Sequence, residues 1–123
     1  MTAPEVVEAL LLSGLDDWIY LAEVVSTVRS VEDPETEEAL VDEVISTIEQ
    51  MLDDGLLKIG DVTDGGFFEW DLPVDAALER VKREWGQLGT HLSIGDVCWL
   101  ATTPEGDRRA IEILKARERR ESV

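Results

Sequence analysis

One long amphipathic stretch, Glu35–Gly55, constrains the fold of this chain more than any other feature. Its apolar residues recur at intervals of three and four, which is the spacing of one stripe along an α-helix. The stripe consists of Leu40, Val41, Val44, Ile45, Ile48, Met51 and Leu52. The opposite face carries Glu38, Asp42, Glu43, Ser46, Thr47, Glu49, Gln50 and Asp53. Because no Lys or Arg occurs between Val31 and Leu57, the sequence predicts a core helix with one anionic face.

The charge of the chain is high and unevenly placed. The chain has 123 residues, 44% of them hydrophobic, which is enough for one folded domain with its own core. Its formal net charge is −17. Residues 1–75 hold 20 Asp and Glu against two Lys and Arg, whereas residues 76–123 hold eight against nine. Such an asymmetry repels nucleic acid and anionic membrane over most of the surface and attracts a basic protein.

The sequence also bears on the compartment. A run of about 18 apolar residues, which would predict a membrane span, does not occur. The first residues, MTAPEVVEA, lack the basic start of a signal peptide. The single cysteine, Cys98, excludes an intrachain disulfide and fits a reducing environment. We therefore expect a cytoplasmic protein.

Two segments precede the central helix. In the first, Thr2 with Glu5 predicts a capping box at a helix start, and Gly14 predicts the end of that helix. The second, Leu15–Ser30, fits either one helix or a very short strand at Trp18-Ile19-Tyr20 followed by a helix over Leu21–Arg29. Pro34 ends this segment, because the residue before a proline disfavours the helical region.

The segments after the central helix alternate between strand and helix patterns. Leu56–Val62 predicts a strand, Thr63–Gly66 a turn, and Phe67–Trp70 a short returning strand. A further strand is predicted over Asp96–Thr102. Between them lies the apolar stripe of another helix, formed by Val74, Ala77, Leu78, Val81, Trp85 and Leu88.

A last helix is predicted with Thr103 as its cap and Pro104 at its first position. Its apolar residues are Ala110, Ile111 and Leu114. Residues 115–123 form a charged tail, in which we expect Lys115–Arg120 to fray.

The order helix, short strand, helix, helix, strand, turn, strand, helix resembles that of a winged helix-turn-helix domain. Tyr20–Val24 is similar to the strand-to-second-helix junction of such domains, and Met51–Leu57 to the exit of their third helix. Trp99–Gly106 is similar to the wing strand of bacterial regulators of the MarR and PadR type. The resemblance implies an α+β, mainly helical domain over residues 1–123 with a small antiparallel sheet. Residues 63–95 would then be a wing insertion with an extra helix.

Charge decides which function we expect from such a domain. In winged-helix regulators the third helix enters the major groove and contacts DNA through Arg, Lys, Asn or Gln. The matching face of this chain offers carboxylates, which repel phosphate. We therefore expect a non-enzymatic acidic module that binds a basic protein. The module would be either a nucleic-acid mimic that occludes a nucleic-acid-binding protein or an immunity-type inhibitor of a basic nuclease. The alternative is a regulator that binds DNA as a dimer.

Two aromatic side chains join the acidic ones as candidate contacts. Trp18 and Trp70 stand beside acidic residues, and each fits either a core position, where Trp is most often found, or an exposed contact for a partner. The predicted partner-binding set is Glu38, Asp42, Glu43, Glu49, Asp53, Trp18 and Trp70.

Residues capable of catalysis or metal binding are few. Cys98 lies in an apolar strand pattern, where a thiol is usually buried and inert, and His91 is expected to be a solvated loop residue. Four nitrogen or sulfur ligands for zinc cannot be assembled. The acidic residues around Gly65-Gly66 lack the spacing of an EF-hand loop. We expect no catalytic residue, no metal and no cofactor.

Overall fold

The computed structural model describes residues 2–89 and 92–121. The helices in these ranges are α1 (Pro4–Asp16), α2 (Leu21–Glu32), α3 (Glu37–Asp53), α4 (Val74–Leu88) and α5 (Pro104–Glu121). The strands are β1 (Ile19–Tyr20), β2 (Leu57–Thr63), β3 (Gly66–Glu69) and β4 (Trp99–Thr102). All four strands belong to one antiparallel sheet. The predicted α+β fold, mainly helical with a small antiparallel sheet, is confirmed.

The last strand lies inside the sheet rather than at its edge. The strand order is β1-β4-β2-β3, and Leu100 of β4 pairs with Ile19 on one side and with Ile59 on the other. In chain order, the β2–β3 hairpin and α4 come before β4. Strand β4 then lies between β1 and β2 in the sheet and pairs with both. The helix expected within residues 63–95 is α4.

One buried apolar cluster includes side chains from all five helices and from the sheet. Helix α1 packs against α2 and α5, α2 packs against α3, and α3 packs against α4. The buried residues of α3 are Leu40, Val44, Ile45, Thr47, Ile48 and Met51. Since each fully buried large apolar side chain stabilises a fold by about 1.5–3 kcal/mol, this stripe holds α3 in place. The opposite face of α3 is left outside the core.

The short strand before α2 settles the alternative left open by the sequence. Ile19 and Tyr20 are extended and pair with Leu100 and Trp99, and α2 begins at the next residue. The helix ends where Asp33 adopts the left-handed conformation, with φ of 47°, immediately before Pro34. The interpretation of Leu15–Ser30 as a single helix is therefore wrong.

Two predictions for α1 are wrong. Thr2 does not cap the helix: it is buried, and its hydroxyl is hydrogen-bonded to that of Thr47 at 3.3 Å, while the extended N-cap is Ala3. Gly14 does not end the helix, which continues to Asp16. A Cβ at Gly14 would overlap the Cγ2 of Thr102. The glycine is therefore required because α1 passes so close to β4.

Strand β4 is shorter than predicted. It begins at Trp99 rather than at Asp96, because Val97 has a φ of 71°, which a strand does not accommodate. Cys98, between them, is buried in the core.

The cap of α5 is confirmed, but its apolar face and its end differ from the prediction. The Oγ1 of Thr103 accepts a hydrogen bond from the Gly106 N–H at 3.0 Å. Ala110 is buried, whereas Ile111 and Leu114 are 45% and 43% exposed, because the face of α5 that packs on α1 is rotated away from them. Lys115–Arg120, where we expected fraying, are helical, because α5 continues to Glu121.

Candidate partner-binding surface

Four carboxylates line one exposed face of α3. Glu38, Asp42, Glu49 and Asp53 are separated by four, seven and four residues, and all four are exposed. At 3.6 residues per turn they share an arc of about 60°, and the row extends about 22 Å along the helix. We call these four residues the acidic row. The helix that carries them is fixed at its start by Thr36, whose Oγ1 accepts a hydrogen bond from the Ala39 N–H at 3.0 Å.

The acidic row is not neutralised by the cations of the described chain. Among the described residues, α3 forms an ion pair through Glu37, whose carboxylate lies 3.1 Å from the guanidinium of Arg29. The other described ion pairs join Arg80, Arg108 and Arg117 to carboxylates outside α3. Within residues 2–89 and 92–121, none involves a member of the row. The row therefore presents net negative charge to the solvent.

Glu43 belongs to the same helix but not to the acidic row. It is half-buried on the flank of α3, and its Oε2 is buried without a hydrogen-bond partner among the described residues. Its backbone carbonyl accepts a hydrogen bond from the Thr47 hydroxyl at 2.8 Å. The predicted site thus divides, with four carboxylates on one face and Glu43 on another.

The two predicted aromatic contacts have different environments. Trp18 is 38% exposed, and its backbone N–H donates to the Oδ1 of Asp17 at 2.7 Å. It lines a shallow groove with Asp16, Asp17 and Ala101, which lie outside α3. An exposed Trp beside two carboxylates is suited to a basic partner, but it lies on a separate surface from the acidic row.

The prediction that Trp70 is available to a partner is wrong. The side chain is only 8% exposed and belongs to the buried cluster. The guanidinium of Arg80, on α4, lies over its ring, and this cover could not be foreseen without knowing how α4 packs. The arrangement is a cation–π interaction and shields the ring from solvent.

The position of α4 beside α3 is the feature of this surface that the sequence did not reveal. Glu37 and Leu40 of α3 line one groove together with Trp85 of α4 and Arg29 of α2. The groove has a volume of about 280 Å³. Sequence periodicity shows that α4 has an apolar face, but not which element that face meets. Helix α4 therefore covers one side of α3, and the acidic row lies on the side that stays exposed to solvent.

The chemistry of Cys98 does not favour catalysis. Burial raises the pKa of its thiol to about 12, with smaller contributions in the same direction from the charges of Asp61 and Glu84 and an opposing one from Arg80. A thiol that stays protonated is a poor nucleophile. His91 lies outside the described residues, so the geometry of a Cys98–His91 pair is not defined.

The described residues also bear on a metal site and on a membrane span. No group of three or more His, Cys, Asp or Glu side chains in residues 2–89 and 92–121 is arranged to hold a metal ion. Among the helices of those ranges, none combines the length and the apolar character that crossing a membrane requires.

Comparison with known proteins yields no relative. No protein-family model matches the chain, no curated protein is significantly similar to it, and no solved structure matches it.

Proposed function

We propose that the chain is a non-enzymatic, cytoplasmic protein-binding module of winged-helix type that takes a basic protein partner on the acidic row. One observation carries this proposal. Four exposed carboxylates share one face of α3 and have no ion-pair partner among the described residues.

The spacing of the row strengthens its field. Residues four apart on a helix are separated by about 6 Å along its axis, which is less than the Debye length of about 8 Å at physiological ionic strength. The potentials of Glu38 and Asp42 therefore add, as do those of Glu49 and Asp53. Such a field accelerates association with a cationic surface, and Arg or Lys of the partner would supply the missing counter-charges.

A basic protein fits this surface better than DNA does. A DNA-binding helix places donors against phosphate oxygens, and the acidic row has none to offer. Proteins that bind or cleave nucleic acid carry the complementary cationic groove. Both versions of the proposal, the nucleic-acid mimic and the immunity-type inhibitor, require such a groove in the partner.

The test compares two variants of equal charge. In the first, the acidic row is neutralised by Glu38→Gln, Asp42→Asn, Glu49→Gln and Asp53→Asn. The matched control neutralises four exposed carboxylates outside α3 by Glu32→Gln, Asp64→Asn, Asp71→Asn and Glu79→Gln. Each tagged protein is used to recover partners from the source cell, and the recovered proteins are identified by mass spectrometry.

We expect the native chain and the control to recover the same basic protein, and the row variant to lose it. Recovery of an unchanged set by the row variant would show that the row is not the binding surface. Titration of random duplex DNA with the native chain separates the alternative. Affinity that rises steeply as salt falls would identify a DNA-binding regulator instead.

A further inference from the structure

A groove between α1 and α5, reaching Gln50 of α3, is a second surface, separate from the acidic row. Its volume is about 610 Å³, within the range of about 300–1,000 Å³ that is usual for small-molecule sites. Its apolar part is formed by Val7 of α1 and by Ile113 and Ala116 of α5. Arg109 and Arg120 of α5 also line it.

The order of these residues along α5 produces an elongated amphipathic surface. Arg109, Ile113, Ala116 and Arg120 are separated by four, three and four residues and therefore share one face of the helix. The two arginines lie about 16 Å apart along the helix axis, with the apolar side chains between them. A guanidinium is thus present at each end of an apolar floor.

Four charged side chains line the groove, two arginines and two glutamates. Glu8 and Glu112 are the two glutamates, and each forms an ion pair with an arginine that lies outside the groove. Glu8 pairs with Arg117 at 3.7 Å, and Glu112 pairs with Arg108. Neither Arg109 nor Arg120 has an ion-pair partner in the described part of the chain. The charge of Glu105, which is itself paired with Arg108, also acts on Arg109. In a chain of net charge −17, the groove thus holds two guanidiniums that form no ion pair with a described residue.

We propose that this groove binds a small organic anion: a carboxylate with a short hydrocarbon body. The carboxylate accepts hydrogen bonds from the guanidinium of Arg109 or Arg120, an arrangement that is strong when it is bidentate. The body lies over Val7, Ile113 and Ala116, where its apolar surface leaves water. This inference is independent of the proposed function, because the groove and the acidic row share no residue.

Calorimetric titration with octanoate below its micellar concentration tests the site, and octanol serves as the neutral analogue of the same chain length. We expect saturable binding of octanoate and binding of octanol that is weaker by about tenfold or more, since a charged hydrogen bond is lost. The variant Arg109→Gln, Arg120→Gln should weaken octanoate binding by a similar factor. The control Lys115→Gln, Arg119→Gln changes the charge equally at exposed positions outside the groove and should alter the dissociation constant less than about twofold.

Circular dichroism of both variants checks that α5 is intact. Equal affinity for octanoate and octanol would overturn the proposal, as would an equal loss in the two variants or the absence of saturable heat. Vesicles of phosphatidylglycerol separate a free anion from a membrane surface. Binding to the vesicles without binding of monomeric octanoate would also overturn the proposal.

Discussion

The guanidinium carbon of Arg80 lies 3.8 Å from the centroid of the Trp70 ring, and the Nε of the same side chain donates to the Oε2 of Glu84 at 2.7 Å. Trp70 follows β3, whereas Arg80 and Glu84 are one turn apart on α4. Arg80 therefore connects α4 to the end of the preceding hairpin. It also covers the ring of Trp70, which is buried although its neighbours in the sequence are acidic.

The contribution of Arg80 can be measured with a neutral replacement. Arg80→Gln should lower the free energy of unfolding by about 0.5–2 kcal/mol, because the cation–π interaction is lost and the Trp70 ring is uncovered. Arg83→Gln, which changes the charge equally on an exposed part of α4, is the control and should have little effect. Urea denaturation of both variants gives the comparison. Equal midpoints would contradict a stabilising role for Arg80.

Two helical glycines should respond to alanine in opposite directions. Gly14→Ala should destabilise the fold by about 1–3 kcal/mol, because the added Cβ overlaps the Cγ2 of Thr102. Gly86→Ala should stabilise it by about 0.5–1 kcal/mol, since nothing lies within 4 Å of the added Cβ and alanine favours helix. Thermal and urea unfolding of both variants measure the difference.

A second substitution tests the cause of the loss at Gly14. Adding Thr102→Ser to Gly14→Ala removes the Cγ2 but keeps the hydroxyl that donates to the Oδ1 of Asp107 at 2.6 Å. The double variant should recover part of the lost stability. If it is no more stable than Gly14→Ala, the steric explanation is wrong.

Stability should fall at alkaline pH because of Cys98. Its folded pKa of about 12 lies above the ordinary value of 9.0, so above about pH 9 the unfolded chain releases the thiol proton while the folded chain keeps it. Stability from this group is complete below pH 9 and is lost as pH rises towards 12, at up to about 1.4 kcal/mol per pH unit. Urea denaturation from pH 7 to 10.5 should show a shallower decline in Cys98→Ala. Parallel declines in the two proteins would contradict the assignment.

The two ends of the acidic row should differ in their effect on stability. Asp53 lies in the last turn of α3, where its charge opposes the helix dipole, so Asp53→Asn should stabilise the fold by about 0.3–1 kcal/mol. Glu38 lies in the first turn, where the same dipole favours a negative charge, so Glu38→Gln should destabilise it by a similar amount. Urea denaturation at low salt measures both effects. Persistence of either effect at 1 M salt would argue against an electrostatic origin.

Patterns along single elements were sufficient to predict much of the fold. The apolar spacing predicted α3 to within two residues at each end, and the β-formers around Trp99 predicted the central strand. Turn residues between β2 and β3 indicated the hairpin. These predictions succeeded because a helix or strand repeats its burial at a period that the residues themselves record.

The errors occurred where the environment of a residue depends on a distant segment. Gly14 has the properties of a helix terminator, but its role is set by Thr102, 88 residues later. On α5 the apolar residues favoured Ile111 and Leu114, yet the packing of α1 selects Ala110. Single-element patterns contain no information about these contacts.

For the candidate site, the sequence alone determined the sign of the charge and the helix that carries it, because composition and helical period are local properties. Helical period places four of the carboxylates on one arc, but only the tertiary structure decided which predicted contacts are exposed. It separated Glu43 from the other four by burying its flank of α3, and it buried Trp70 beneath Arg80 while Trp18 stayed exposed. The physical reason is that the exposure of a side chain is set by the elements that pack around it, and those elements come from elsewhere in the chain.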